Sequence, residues 1–234
     1  MTTRDTVSNH LLELRSRLLK VIVFFGALSL IGIPFAADIY SFVANPLIDI
    51  LPSGSSMIAT EVASPFMAPI KLVIYIALLL SMPWLFYQMW MFISPGLYQG
   101  EKSFTRPLML STIVLFFSGA SFAFFVVCPI IFKFFIGMAP DSIQVMTDIN
   151  QYLGFIFKLI FAFGIAFEIP IATILLVKSG ITSKASLVKA RPYLLVLFLI
   201  IGMLLTPPDI FSQLFLAIPM WILFELGIFF IREK

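Results

Sequence analysis

The sequence predicts an all-α polytopic membrane protein with six transmembrane helices and cytoplasmic termini. Three observations carry this. Apolar residues make up 61% of the chain and charged residues 12%, about half the roughly 25% usual in a soluble domain. The apolar residues gather in runs close to the ~20 residues that cross a bilayer. The lysines and arginines then fall almost entirely on alternate loops.

The first span covers about Val21 to Ala37. It follows a basic stretch, as a secretory signal would, but it is longer than a typical signal core. The bulky Phe35 in "PFAAD" also suits small-residue cleavage poorly, so the span is read as retained. The second covers about Leu72 to Ile93 and contains Pro83; the third covers about Leu108 to Ile131, with Pro129 near its end. The fourth covers about Tyr152 to Val177. The last apolar stretch is divided by "TPPD" at Thr206–Asp209. Neither proline donates an N–H, and both rings clash with the preceding turn. Two spans result, about Tyr193 to Leu205 and Ile210 to Ile231. The fifth reaches only about 20 Å against a hydrocarbon core of about 30 Å. It must pack against neighbours or thin the bilayer around it. Residues 1–234 thus read as one membrane domain without an internal repeat.

Six spans put both termini on one side, and Lys and Arg decide which. Arg4, Arg15, Arg17, Lys20, Lys102, Arg106, Lys178, Lys184, Lys189, Arg191, Arg232 and Lys234 lie with the termini, against only Lys71, Lys133 and Lys158 opposite. The termini are therefore cytoplasmic. The long first outer loop, about Asp38 to Lys71, contains Pro46, Pro52, Pro65 and Pro69, and a turn at Ser53 to Ser56. Its apolar Ile39 to Leu51 section predicts short helices and a structured cap.

Composition excludes several chemistries. One cysteine, Cys128, allows neither an intramolecular disulfide nor a cysteine cluster. One histidine, His10, allows no multi-histidine metal site and lies outside the apolar segments. A hydrolase has too few candidate residues.

The acids carry more information. Glu168, in "FGIAFEIP", lies inside the fourth span. A carboxylate there costs several kcal/mol unless neutralised, hydrated or paired. It reads either as a protonated group bonded to another helix or as a polar site reached by water, and then as a proton relay or a docking group. Glu225 is a second intramembrane acid near the cytoplasmic end of the sixth span. Asp209 stands where it can cap the sixth helix. Thr206 and Gln213 flank the proline break as hydrogen-bonding groups between helices, internal or with another chain. In "HLLELRSRLLK", residues 10–20, Leu11, Leu14 and Leu18 form a helical stripe, and Glu13 and Arg17 are i, i+4 neighbours. The leucines and bases seat and orient the first span. Glu13 is not needed for that, because orientation counts bases and largely ignores acids.

The stretches "HLLELRSRLLK", "NPLI", "MIATEVASPFMAPIK", "FISPGLYQGEK", "FEIP", "RPYLLV" and "GMLLTPPDIFSQLFLAIPMWILFELG" resemble the TatC family, the multispanning subunit of the twin-arginine protein translocase, in its enterobacterial form. The resemblance runs from about His10 to Phe230. It implies a glove-like bundle with a concave face and short fifth and sixth helices. It implies a protein of the bacterial cytoplasmic membrane that binds signal peptides and begins export of folded proteins, driven by the proton-motive force and without catalysis. Carried over by motif, Glu13 and Glu101 receive the two signal arginines, and Arg15 and Phe92 belong to the same cytoplasmic surface. Glu168 becomes the intramembrane polar site. Pro46 and Asp209 match positions important for transport, and Met203, Thr206 and Gln213 match the surface that meets single-span TatA- and TatB-type subunits. Further expected partners are other copies of the chain and the lipid bilayer. No nucleic acid, cofactor or metal is implied. The alternative is a proton-coupled small-solute transporter with Glu168 as relay. Two acids on separate cytoplasmic segments suit paired arginines, because a guanidinium engages a carboxylate bidentately and lysine does not.

Overall fold

The computed structural model describes residues 3–48, 57–93, 102–138, 140, 146–206 and 209–231. Contacts group the chain into two units, Met1–Val43 with Pro65–Ile113 and Ala44–Ser64 with Val114–Lys234. Glu101, the turn at Ser53 to Ser56, and Pro207 and Pro208 lie outside the described residues.

In the first unit, α1 runs through Thr3–Gly32 without a break. The basic stretch and the first span are therefore one helix. A 3₁₀ turn, Ile33–Phe35, leads into α2, Ala36–Ile48. Proline 34 sits in the first two positions of that turn, where a missing N–H costs little. The predicted outer helix is thus α2, continuous in direction of chain with α1. The other long helix, α3, covers Ser64–Ile93. It starts eight residues before the expected span. Pro65 occupies its first turn, and Pro69 and Pro83 lie within it. The outer loop is correspondingly shorter than the sequence suggested.

Helix α4, Lys102–Phe122, passes into a π-helical segment, Ala123–Val127, and then α5, Cys128–Gly137. Pro129 explains the change of register. It has no N–H for the carbonyl four residues back, and its ring crowds that turn.

The second unit holds the largest of the fully buried side chains. Phe116, Phe163 and Phe224 are among them, each at most 1% exposed. Its outer edge carries a two-residue parallel pairing, β1 (Met57–Ile58) with β2 (Thr147–Asp148). Helix α6, Ile149–Ala166, follows β2, and α7 covers Ile169–Lys178. Gly180 turns the chain out of α7 at φ 73°, a conformation that glycine adopts without steric cost. Helices α8 (Lys184–Lys189), α9 (Arg191–Leu205) and α10 (Ile210–Phe230) complete the order.

Among the described residues, five stretches are long and apolar enough to cross a membrane: Leu11–Asn45, Ser64–Phe92, Pro107–Gly137, Ile149–Lys178 and Ile210–Phe230. The shorter apolar Arg191–Leu205 is the sixth. The expected shortness holds for this fifth helix in chain order; α10, at 21 residues, spans about 31 Å. The fifth packs on the sixth instead of reaching across alone. A side-chain carbon at Gly202 would stand 2.9 Å from the Gln213 carbonyl oxygen, so only glycine permits that approach. At Gly227, α10 comes equally close to Pro170 of α7. The apolar core beneath joins Phe198, Ala217, Met220, Phe224 and Ile228.

Candidate functional site

The cytoplasmic candidates begin with α1. Glu13 and Arg17 stand one turn apart, as their spacing predicts. Arg17 Nε and NH2 both donate to Glu13 Oε1, at 2.9 and 2.6 Å. Arg17 NH1 donates to Gln88 Oε1 of α3 at 3.2 Å. One guanidinium therefore engages a carboxylate and an amide on two helices. The arrangement leaves Glu13 38% exposed and Arg17 18% exposed, so the acid remains within reach of the cytoplasm. Gln88 was missed by sequence reasoning. Nothing in its surroundings connects it with residues 71 positions earlier.

Arg15 is exposed and lines a groove with Trp84. Two residues of helix turn through about 200°, which separates it from the face of Glu13. Phe92 is half-buried at the end of α3. Pro46 lies in α2. Among the expected recognition residues, the structure brings Glu13 together with Arg17 and Gln88.

In the second unit, Met203, Thr206, Asp209 and Gln213 gather along α9, α10 and the break between them. Gln213 Nε2 donates to the Leu199 carbonyl at 2.9 Å. Thr206 is buried, and its hydroxyl donates to the Gly202 carbonyl at 2.9 Å. Gln213 thus ties α10 to α9, while Thr206 closes the end of α9 on itself. Met203 is 50% exposed, and presents the accessible side chain of the three partner-contact candidates. Asp209 caps α10 by accepting from the Ser212 N–H at 2.7 Å.

Glu168 stands at the joint between α6 and α7, half-buried. Its carbonyl still accepts from the Ala172 N–H at 2.8 Å. Pro170 begins α7 two residues on, which places Glu168 at a helix start inside a membrane span. The other intramembrane acid, Glu225, is paired with an arginine. Arg191 NH2 donates to Glu225 Oε2 at 2.6 Å, joining α9 to α10. Nearby, Lys184 Nζ donates to the Ile231 carbonyl at 3.0 Å.

On the outer edge, Asp148 caps α6 by accepting from the Gln151 N–H at 3.0 Å. It also accepts from the Thr60 hydroxyl at 2.7 Å and the Thr60 N–H at 3.1 Å. The Thr60 hydroxyl, followed by the Gln151 N–H, holds its carboxyl below the usual carboxylate range. Among the described residues no group of three or more potential metal ligands gathers.

The family model described as Sec-independent protein translocase protein (TatC) matches residues 9–219. A protein of that name from Azotobacter chroococcum is 54% identical over 94% of this chain and 87% of its own length. The protein of that name from Escherichia coli K12 is 51% identical over 99% of this chain and 91% of its own. A crystal structure described as the twin-arginine translocase receptor TatC superposes with a TM-score of 0.84 at 36% identity, covering 94% of this chain and 96% of that one. A second, in DDM, gives 0.85 at 35% identity, covering 96% and 100%.

Proposed function

Because this chain belongs to the TatC family of Sec-independent protein translocase proteins, we propose that Glu13 and Glu101 are the two cytoplasmic carboxylates that receive the paired arginines of a signal peptide. The chain is the receptor subunit of a twin-arginine translocase and a multi-pass protein of the bacterial cytoplasmic membrane. The small-solute transporter reading finds no support, since the translocase resemblance extends over nearly the whole chain.

The observation that supports the assignment is the seating of Arg17 on Glu13. This carboxylate already accepts a guanidinium through two N–H groups, at the cytoplasmic head of a helix. A signal arginine makes the same bonds, and a second acid is needed for the second arginine. Charge-assisted, forked contacts of this kind separate arginine from lysine. Arg15 and Phe92 complete the cytoplasmic surface in this reading.

The chain works without catalysis and without a cofactor, with the proton-motive force as its energy source. It assembles with single-span TatA- and TatB-type subunits along Met203, Thr206 and Gln213, and with further copies of itself. Pro46 and Asp209 serve transport through the outer segments, Asp209 by fixing the start of α10. Glu168 supplies a polar group within the membrane. Residues 1–234 act as one membrane domain.

Crosslinking to a twin-arginine signal peptide tests the receptor site. Glu13→Ala and Glu101→Ala should each weaken capture, as should lysines in place of the peptide's arginines. Unchanged capture by the double variant would sink the assignment. For Glu168, export by Glu168→Gln should exceed export by Glu168→Leu if polarity is the requirement. Equal loss would point to an ionisable relay.

A further inference from the structure

The N-terminal unit holds a groove that meets the proposed receptor surface only at Arg15. It has a volume of about 730 Å³ and lies along α1 against Trp84 of α3. Arg15, Ser16 and Lys20 line its cytoplasmic end, and Phe24 and Ala27 line it further into the membrane. Among the described residues no acid lines it. Of the three bases in this part of α1, Arg17 is committed to Glu13. Arg15 and Lys20 form no ion pair among the described residues, so the groove's head is doubly positive.

We propose that this groove binds one anionic phospholipid of the cytoplasmic leaflet. Arg15, Ser16 and Lys20 would hold its phosphate, and an acyl chain would lie over Phe24, Ala27 and Trp84. The dimensions support this occupant. Arg15 to Ala27 spans about 18 Å along the helix, close to a headgroup followed by one leaflet of about 15 Å. Basic pockets between transmembrane helices on the cytoplasmic side recognise anionic headgroups. Glu13, the carboxylate proposed to receive a signal arginine, does not line the groove.

The test uses full-length protein with Trp90→Phe and Trp221→Phe, which leaves Trp84 as the sole tryptophan. It is placed in phosphatidylcholine vesicles with brominated phosphatidylglycerol or, separately, brominated phosphatidylcholine. Trp84 should be quenched preferentially by the anionic lipid. Lys20→Gln should lower that preference about fivefold, the effect of one base near the membrane surface, while Lys20→Arg retains it. Ala27→Phe, which fills the apolar part, should weaken quenching by the anionic lipid. Equal quenching by the two lipids at low salt would overturn the proposal, leaving ordinary boundary lipid. So would removal of the preference by inorganic phosphate, which would mark an anion site with no need of a lipid.

Discussion

The pairs Glu13–Arg17 and Glu225–Arg191 close at the same 2.6 Å, one within a helical turn of α1 and the other between α9 and α10. Their acids are similarly exposed, 38% for Glu13 and 32% for Glu225, whereas Arg17 is 18% and Arg191 40% exposed. What separates them is the consequence of opening. Arg17 can release Glu13 by a change of rotamer, with α1 left in place. When Arg191 releases Glu225, α9 and α10 lose an ion pair that joins them. The same chemistry is therefore exchangeable in the first unit and structural in the second. An exchangeable carboxylate is what a receptor for guanidinium groups needs.

The largest expected effect tests that contrast directly. Glu13→Ala should lower signal-peptide affinity roughly 10- to 100-fold, the value of a charge-assisted hydrogen bond. The thermal midpoint of the purified protein should hardly move. Glu225→Ala should do the reverse. Peptide affinity should be retained, while stability falls by about 1 kcal/mol, or about 2–4 °C in the midpoint for a chain of this size. If Glu225→Ala lost peptide binding as severely as Glu13→Ala, the distinction between the two pairs would fail.

A smaller effect sharpens the meaning of Arg17. If it is a resident competitor for Glu13, then Arg17→Gln removes that competitor. An i, i+4 pair is worth about 0.3–0.5 kcal/mol, so affinity should rise about twofold. A tenfold fall would instead make Arg17 a holder of Glu13 in its receptive rotamer, with Gln88 as the anchor. Titration of the peptide against wild type, Arg17→Gln and Gln88→Ala separates the two.

The difference between these pairs also marks what sequence could reveal. Glu13–Arg17 was legible, because residues four apart on a helix are neighbours whatever surrounds them. Capping by Asp209 was legible for the same local reason, as were the spans, whose length and apolarity the bilayer imposes. Glu225 stayed open because its partner lies 34 residues away, and helix packing alone brings them together. Gln88 was hidden likewise. The start of α3 was misplaced because Pro65 and Pro69 resemble loop residues, although proline is tolerated in a first turn. The β1–β2 pairing is two residues long, too short for any alternation to announce it.

A third carboxylate completes the comparison with the least expected effect on capture. Asp148 is held by neutral donors, the Thr60 hydroxyl and N–H and the Gln151 N–H, and no guanidinium is among its bonds. Asp148→Asn should leave peptide affinity unchanged. Its influence should show only in stability against pH. The folded-state carboxyl sits below its ordinary value of 3.8, so it favours folding while ionised. That contribution is fully present above the unfolded value and is lost as pH falls through the folded one. Melting curves should therefore be insensitive to this group from neutral pH down to about pH 5, then decline in stronger acid. Asp148→Asn should be less stable at neutral pH and should lose part of the acid-dependent decline. An unaltered acid slope in the Asn variant would mean that other carboxylates govern the outer edge, and that Thr60 and Gln151 are bonded to Asp148 without energetic consequence.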